Sequence, residues 1–143
     1  MGKTVIITSA KGGSGKTTIT ASLGLSLANM GKKVCLVDLC FTARSLDMLL
    51  SLQDQAVFDI ADLAEGTCSP KDAVAVQEKL NLTLLPAPAA SAEISGEDLK
   101  KVFKILSYKY DYVIADLNDP YSEAVRMLLE SADSIVLLSI MGD

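Results

Sequence analysis

Directly after the apolar run "KTVIIT" (Lys3–Thr8) the chain reads "SAKGGSGKTT" (Ser9–Thr18) and then enters a long helical pattern closed by Gly31. A buried strand, a glycine-rich turn and a helix in immediate succession leave few folds open. The glycines let successive backbone N–H groups turn toward one anion, and the helix that follows adds the positive end of its dipole. The stretch is the Walker A phosphate loop, G-x-x-x-x-G-K-[ST], with Ala10 in place of the first glycine. In that pattern Gly12, Gly13, Ser14 and Gly15 form the cradle, and Lys16 reaches the β- and γ-phosphates. Thr17 offers its hydroxyl to Mg²⁺, and Thr18 bonds the α-phosphate. A glycine turn that merely joins strand to helix is the plainer reading. It does not account for a lysine and two threonines in the register a phosphate needs.

Four more apolar runs follow: "KVCLVD" (Lys33–Asp38), "LTLLP" (Leu82–Pro86), "YVIAD" (Tyr112–Asp116) and "SIVLLSI" (Ser134–Ile140). Each is short, rich in branched residues and bounded by turn formers, as buried strands are. Helical patterns separate them. Ile19, Leu23, Leu27 and Met30 recur at helical spacing after the phosphate loop. Shorter helices are expected at Ser45–Leu52, at Phe58–Gly66, and from Ser69 with Pro70 as first helical residue. Ser95 and Asp98 open another, with Leu99, Val102, Phe103 and Leu106 as its buried stripe; "SEAVRMLLESA" supplies the last. Strands alternating with helices predict βαβ units and an α/β fold, a mainly parallel sheet of about five strands flanked by helices. Half the residues are hydrophobic but only 5% aromatic, which suits strands buried on both faces. The length is that of one domain.

The composition also excludes. A net charge of −5 argues against broad capture of nucleic acid or anionic membrane, and no specific nucleic-acid partner is expected. With no histidine there is neither a His–Cys zinc site nor a His general base. Cys35, Cys40 and Cys68 lack metal spacing and read as free thiols of a reducing compartment. No apolar run reaches spanning length and no signal-peptide pattern opens the chain, so the expected location is cytoplasmic. Lys100, Lys101, Lys104 and Lys109 read as a solvated face near a helix C-terminus.

Lys11 takes the loop beyond the general motif. "KGGSGKTT" resembles the deviant Walker A of the MinD/ParA ATPases, and the likeness runs on through "RSLDMLL" (Arg44–Leu50), "VFDIADLAEGTCSPKDAV", "NLTLLPA" and "YDYVIAD" (Tyr110–Asp116). It is closer to the MinD branch than to the DNA-partitioning one. The resemblance implies a three-layer P-loop NTPase-like fold, with residues 1–143 as one nucleotide-binding domain and ATP and Mg²⁺ as cofactors. It implies a Lys11 that reaches across a homodimer to the partner's nucleotide, an Asp38 that is the first switch acid, and an Asp116 that holds Mg²⁺ beside Thr17. The implied role is an ATP-dependent dimerisation switch in division-site placement or intracellular positioning, with a division-machinery protein as partner.

Three departures qualify that reading. The family has Asp-x-Asp after the second strand, its second acid positioning the attacking water; here the line is Asp38-Leu39-Cys40. A thiol is mostly neutral at pH 7 and a weak acceptor, so hydrolysis is expected to be impaired. After Asp116 the chain reads "LNDP", and Asp119 is either a helix cap before Pro120 or a substitute for the absent acid. Finally, the family continues beyond "SIVLLSIMGD" with further strands and an amphipathic membrane helix, so the expected domain lacks these and has no membrane anchor of its own. Its last strand is then expected at a sheet edge with apolar surface exposed. A binding-competent pseudo-ATPase scaffold and an inactive fragment are the alternatives.

Overall fold

The computed structural model describes residues 1–9, 15–39, 46, 50, 52, 58–87, 94–117 and 123–138. Six strands form one sheet: β1 (Lys3–Ser9), β2 (Val34–Asp38), β3 (Ala75–Gln77), β4 (Leu82–Leu85), β5 (Tyr112–Asp116) and β6 (Ser134–Leu138). Their order is β3-β4-β2-β5-β1-β6. All pairings are parallel except β3 with β4. Five helices are described: α1 (Lys16–Asn29), α2 (Ile60–Glu65), α3 (Pro70–Ala73), α4 (Gly96–Lys109) and α5 (Glu123–Ser131).

The sheet has a core on each face. Ile7, Leu36, Leu84 and Ile114 point toward α1, where Leu46, Leu50 and Leu52 complete the packing. Ile6, Val37, Val113 and Ala115 point the other way, onto α2, α4 and α5 through Ile60, Phe103 and Leu128. The central strands β2 and β5 are therefore apolar on both sides, as their uninterrupted runs require.

Two expectations about local structure are corrected. The segment from Ser69 is helical only to Ala73, and Ala75–Gln77 then pairs antiparallel with β4, so the sheet gains a sixth strand. Asn81 makes the turn between them at φ 53°, a left-handed conformation that asparagine tolerates. Tertiary pairing outweighed a weak helical pattern there, and Val74 and Val76 suit an extended backbone. The second correction is to the face of α1. Its buried residues are Lys16, Thr20, Gly24 and Ala28; of the expected stripe Leu23 and Leu27 are partly buried against the core, whereas Ile19 is 40% and Met30 69% exposed. A Cβ at Gly24 would lie 2.8 Å from a Leu36 methyl, so the helix packs closer to β2 than a leucine stripe would permit.

The helix expected at Ser45–Leu52 lies mostly outside the described residues, and the remaining local expectations hold. Asp59 caps α2 in a reciprocal box with Asp62, and Ser95 Oγ accepts the Asp98 N–H at 3.1 Å. Leu99, Val102, Phe103 and Leu106 are buried as expected. At the sheet edge β6 leaves Ile135 50% and Leu137 64% exposed.

Two polar groups in the core generate tests. The Thr8 hydroxyl is buried and has no hydrogen-bond partner among the described residues. Thr8→Val keeps the shape and removes the unsatisfied group, so it is expected to raise stability by about 1 kcal/mol in urea unfolding. Burial pushes the Cys35 thiol up to about 12, and burial followed by the neighbouring Cys35 raises the Tyr110 phenol to about 12 against a hydrogen bond with Thr83. In the unfolded chain these groups ionise near 8.5 and 10. Between those values and about 12 the unfolded state holds fewer protons than the folded one, so stability falls as pH rises. The urea midpoint should drop steadily across that window; a flat profile would contradict the burial of Cys35 and Tyr110.

Candidate nucleotide site

Strand β5 lies between β1 and β2, although the chain forms it last of the three. That insertion sets Asp38 and Asp116 side by side as register partners at the C-terminal ends of β2 and β5, with Ile7 of β1 on the other side of Asp116. The ladder continues one step further: Leu39 N–H donates to Asp116 O and Leu117 N–H to Ile7 O, both at 2.9 Å. Ligands of open α/β sheets bind at such crevices, outside the carboxyl ends of the strands.

From the other side comes the start of α1. Gly15 precedes it at φ 77°, a conformation that L side chains rarely adopt, and this reverses the chain into the helix at Lys16. The Lys16 ammonium donates to Asp116 Oδ1 at 2.7 Å, and the Thr17 hydroxyl donates to Asp116 Oδ2 at 2.8 Å. Thr20 Oγ donates back to Lys16 O at 2.9 Å and ties the first turn together. Lys16, Asp38 and Asp116 are all buried, at 7%, 1% and 0% exposure. An ammonium and two carboxylates are thus held within a water-poor crevice, where their electrostatic coupling is strong.

Of the residues expected at the site, Lys16, Thr17, Asp38 and Asp116 converge, and Gly15 and Thr18 lie at the same helix start with Thr18 exposed. Lys11, Gly12, Gly13, Ser14, Cys40, Arg44, Ser45 and Asp119 lie outside the described residues. The oxygen donors of Thr17, Asp38 and Asp116 fit a hard cation such as Mg²⁺, which takes few protein ligands and completes its shell with water and phosphate oxygens. No group of three His, Cys, Asp or Glu side chains is clustered for a metal among the described residues. None of the described helices is long and apolar enough to cross a membrane.

Sequence reasoning did not anticipate that Lys16 and Thr17 bond to Asp116 itself. The positive lysine and the carboxylate satisfy each other across 100 residues of chain. Breaking a buried pair by removing one partner is costly. Lys16→Ala is therefore expected to lower unfolding free energy by about 3 kcal/mol in urea without nucleotide. Adding Asp116→Asn in the same chain should recover much of the loss, since an amide needs no counter-ion; additive losses would show that the pair is not coupled.

A family model described as an AAA domain matches residues 2–142. The septum site-determining protein MinD of Thermotoga maritima is 38% identical over 142 residues, covering 97% of this chain and 52% of that protein. MinD of Bacillus subtilis is 34% identical over 143 residues, with 97% and 53% covered. Among solved structures, the MinC:MinD cell division protein complex of Aquifex aeolicus superposes with a TM-score of 0.83 at 36% identity, covering 94% of this chain and 55% of that one. MinD complexed with Mg-ADP from Pyrococcus horikoshii gives 0.83 at 30% identity, with 97% and 58% covered. The chain spans about half the length of the curated relatives it matches.

Proposed function

Because the chain belongs to the MinD/ParA family of deviant Walker A P-loop ATPases, we propose that it is an ATP-binding switch of the MinD type, tied to division-site placement or intracellular positioning. The observation that carries the reading is the convergence of Lys16, Thr17 and Asp116 within hydrogen-bond distance beside buried Asp38. Residues 1–143 act as one nucleotide-binding domain. Gly12 to Thr18 cradle the phosphates of ATP, and Lys16 leaves Asp116 for the β- and γ-phosphates as they enter. Thr17, Asp38 and Asp116 then hold Mg²⁺, which neutralises phosphate charge and orients the transferring group.

The signature lysine, Lys11, reaches the nucleotide of a second copy, so ATP favours a homodimer with two nucleotides at its interface. A division-machinery protein reads that dimer. Relatives of known structure support nucleotide binding and a division-machinery partner: one MinD is complexed with Mg-ADP and another with MinC.

Turnover is slow in this reading because Cys40 stands where the family has an acid that positions water. Asp119, three residues after Asp116, is the candidate substitute for that acid. A second reading, a nucleotide-holding scaffold without hydrolysis, is favoured by the same Cys40.

Titration of the purified chain with Mg-ATP, Mg-ADP and Mg-GTP, with molar mass followed by light scattering, tests the proposal. Saturable ATP binding with a shift from monomer to dimer is expected; Lys16→Ala should abolish both and Lys11→Ala only the dimer. Cys40→Asp should raise phosphate release by about tenfold or more, and Asp119→Ala should remove the slow residual rate. No binding at millimolar nucleotide would overturn the reading, and binding with no turnover in either the native or the Cys40→Asp chain would leave the scaffold.

A further inference from the structure

At the N-terminal ends of the strands, opposite the acids, the start of β1, one face of α4 and the end of α5 enclose a groove of about 680 Å³. β1 is seven residues long, so roughly 20 Å separates this groove from the nucleotide site. Its volume is that of a small-ligand pocket rather than of a flat docking surface.

The lining divides by chemistry. Lys3, Lys100, Lys101 and Lys104 surround the groove, four of the chain's 13 basic residues. Glu97, Lys100, Lys101 and Lys104 fall at successive helical spacings of three, one and three, so α4 presents them on one side. None of the four lysines makes an ion pair with another described residue. Of the two acids that line the groove, Asp133 is committed: its Oδ2 accepts the Thr4 N–H at 2.7 Å. Glu97 is exposed. Phe103 and Met127 line the same groove and give it apolar surface beside the charges. In a chain of net charge −5, this is a local excess of positive charge over apolar surface.

We propose that the groove binds a small amphiphilic anion, its apolar body against Phe103 and Met127 and its phosphate or carboxylate head among Lys100, Lys101 and Lys104. Inorganic anions would find only solvated lysines there, and neutral apolar molecules only half of their contacts. Recognition requires both parts in one molecule. The proposal is independent of the nucleotide reading, because no residue of the groove belongs to the phosphate loop or the strand-end acids.

The test is amide NMR of the full chain titrated with octyl phosphate below its micelle concentration, with inorganic phosphate and octanol as comparisons. Saturable shifts are expected at Gly2–Thr4, Lys100–Lys104 and Met127–Asp133, with both comparison compounds much weaker. The Lys100→Glu/Lys104→Glu double variant should bind octyl phosphate about tenfold or more weakly with an unchanged melting profile. Should that variant not fold, Lys101→Gln is read in the same way, with a smaller loss expected. Shifts centred on Gly15–Thr18, where a phosphate loop would take the head, would overturn the proposal. So would shifts centred on Ile135–Leu137, where the exposed strand would take the tail, equal affinity in the variants, or no saturable shift at all.

Discussion

Lys16 and Asp116 are 100 residues apart in the chain and 2.7 Å apart in the fold. Their meeting depends on β5 entering the sheet between β1 and β2, so that the carboxylate ends of two strands flank the helix that grows out of the third. Remove that insertion and the lysine of the loop, the threonine after it and the two acids no longer share a crevice. The sheet order is in this sense the site, and the cores on both faces serve to hold it. Val37 and Leu36 pack on opposite sides of β2, as Ala115 and Ile114 do on β5, which leaves little freedom for either strand end to move.

The close packing of α1 has the same consequence. A stripe of Thr20, Gly24 and Ala28 lets the helix axis come near β2, and Lys16 is the first member of that stripe. A helix carried on leucines would stand further off, and its first lysine would not reach Asp116 at hydrogen-bond distance. Small residues on the buried face thus position a charged one, while the large apolar residues Ile19 and Met30 are left outside. The ammonium donates to Asp116 at 2.7 Å, a charge-assisted bond that fixes the first turn of α1 against the end of β5.

The two ends of the sheet differ in kind. The C-terminal end is built from buried, hydrogen-bonded groups, in a fold shared with a MinD structure that is complexed with Mg-ADP. The N-terminal end carries lysines without ion-pair partners among the described residues, around a groove that Phe103 and Met127 also line, and nothing in the family reading uses them. Cys40 stands in the sequence where the family resemblance leads one to expect a carboxylate, and the chain contains no histidine.

Much of this was legible beforehand because it rests on local physics. Branched apolar runs bounded by turn formers marked five of the strands, and Ser95 and Pro70 marked helix starts; the glycine-rich loop between a strand and a helix pointed to a phosphate and to Lys16 and Thr17, while Asp38 and Asp116 came from the family resemblance. β3 was not legible, since Ala75–Gln77 is a strand only through its pairing with β4. Nor was the buried face of α1, because periodicity counts hydrophobic residues and cannot register that a glycine permits closer approach than a leucine. The sequence by itself determined the candidates for phosphate binding, through residue type and spacing in a single loop, and through its family resemblance the two strand-end acids as candidates for metal. Only the tertiary structure decided that Lys16 bonds to Asp116 itself, because contact between residues 100 apart follows from strand order and not from any local pattern.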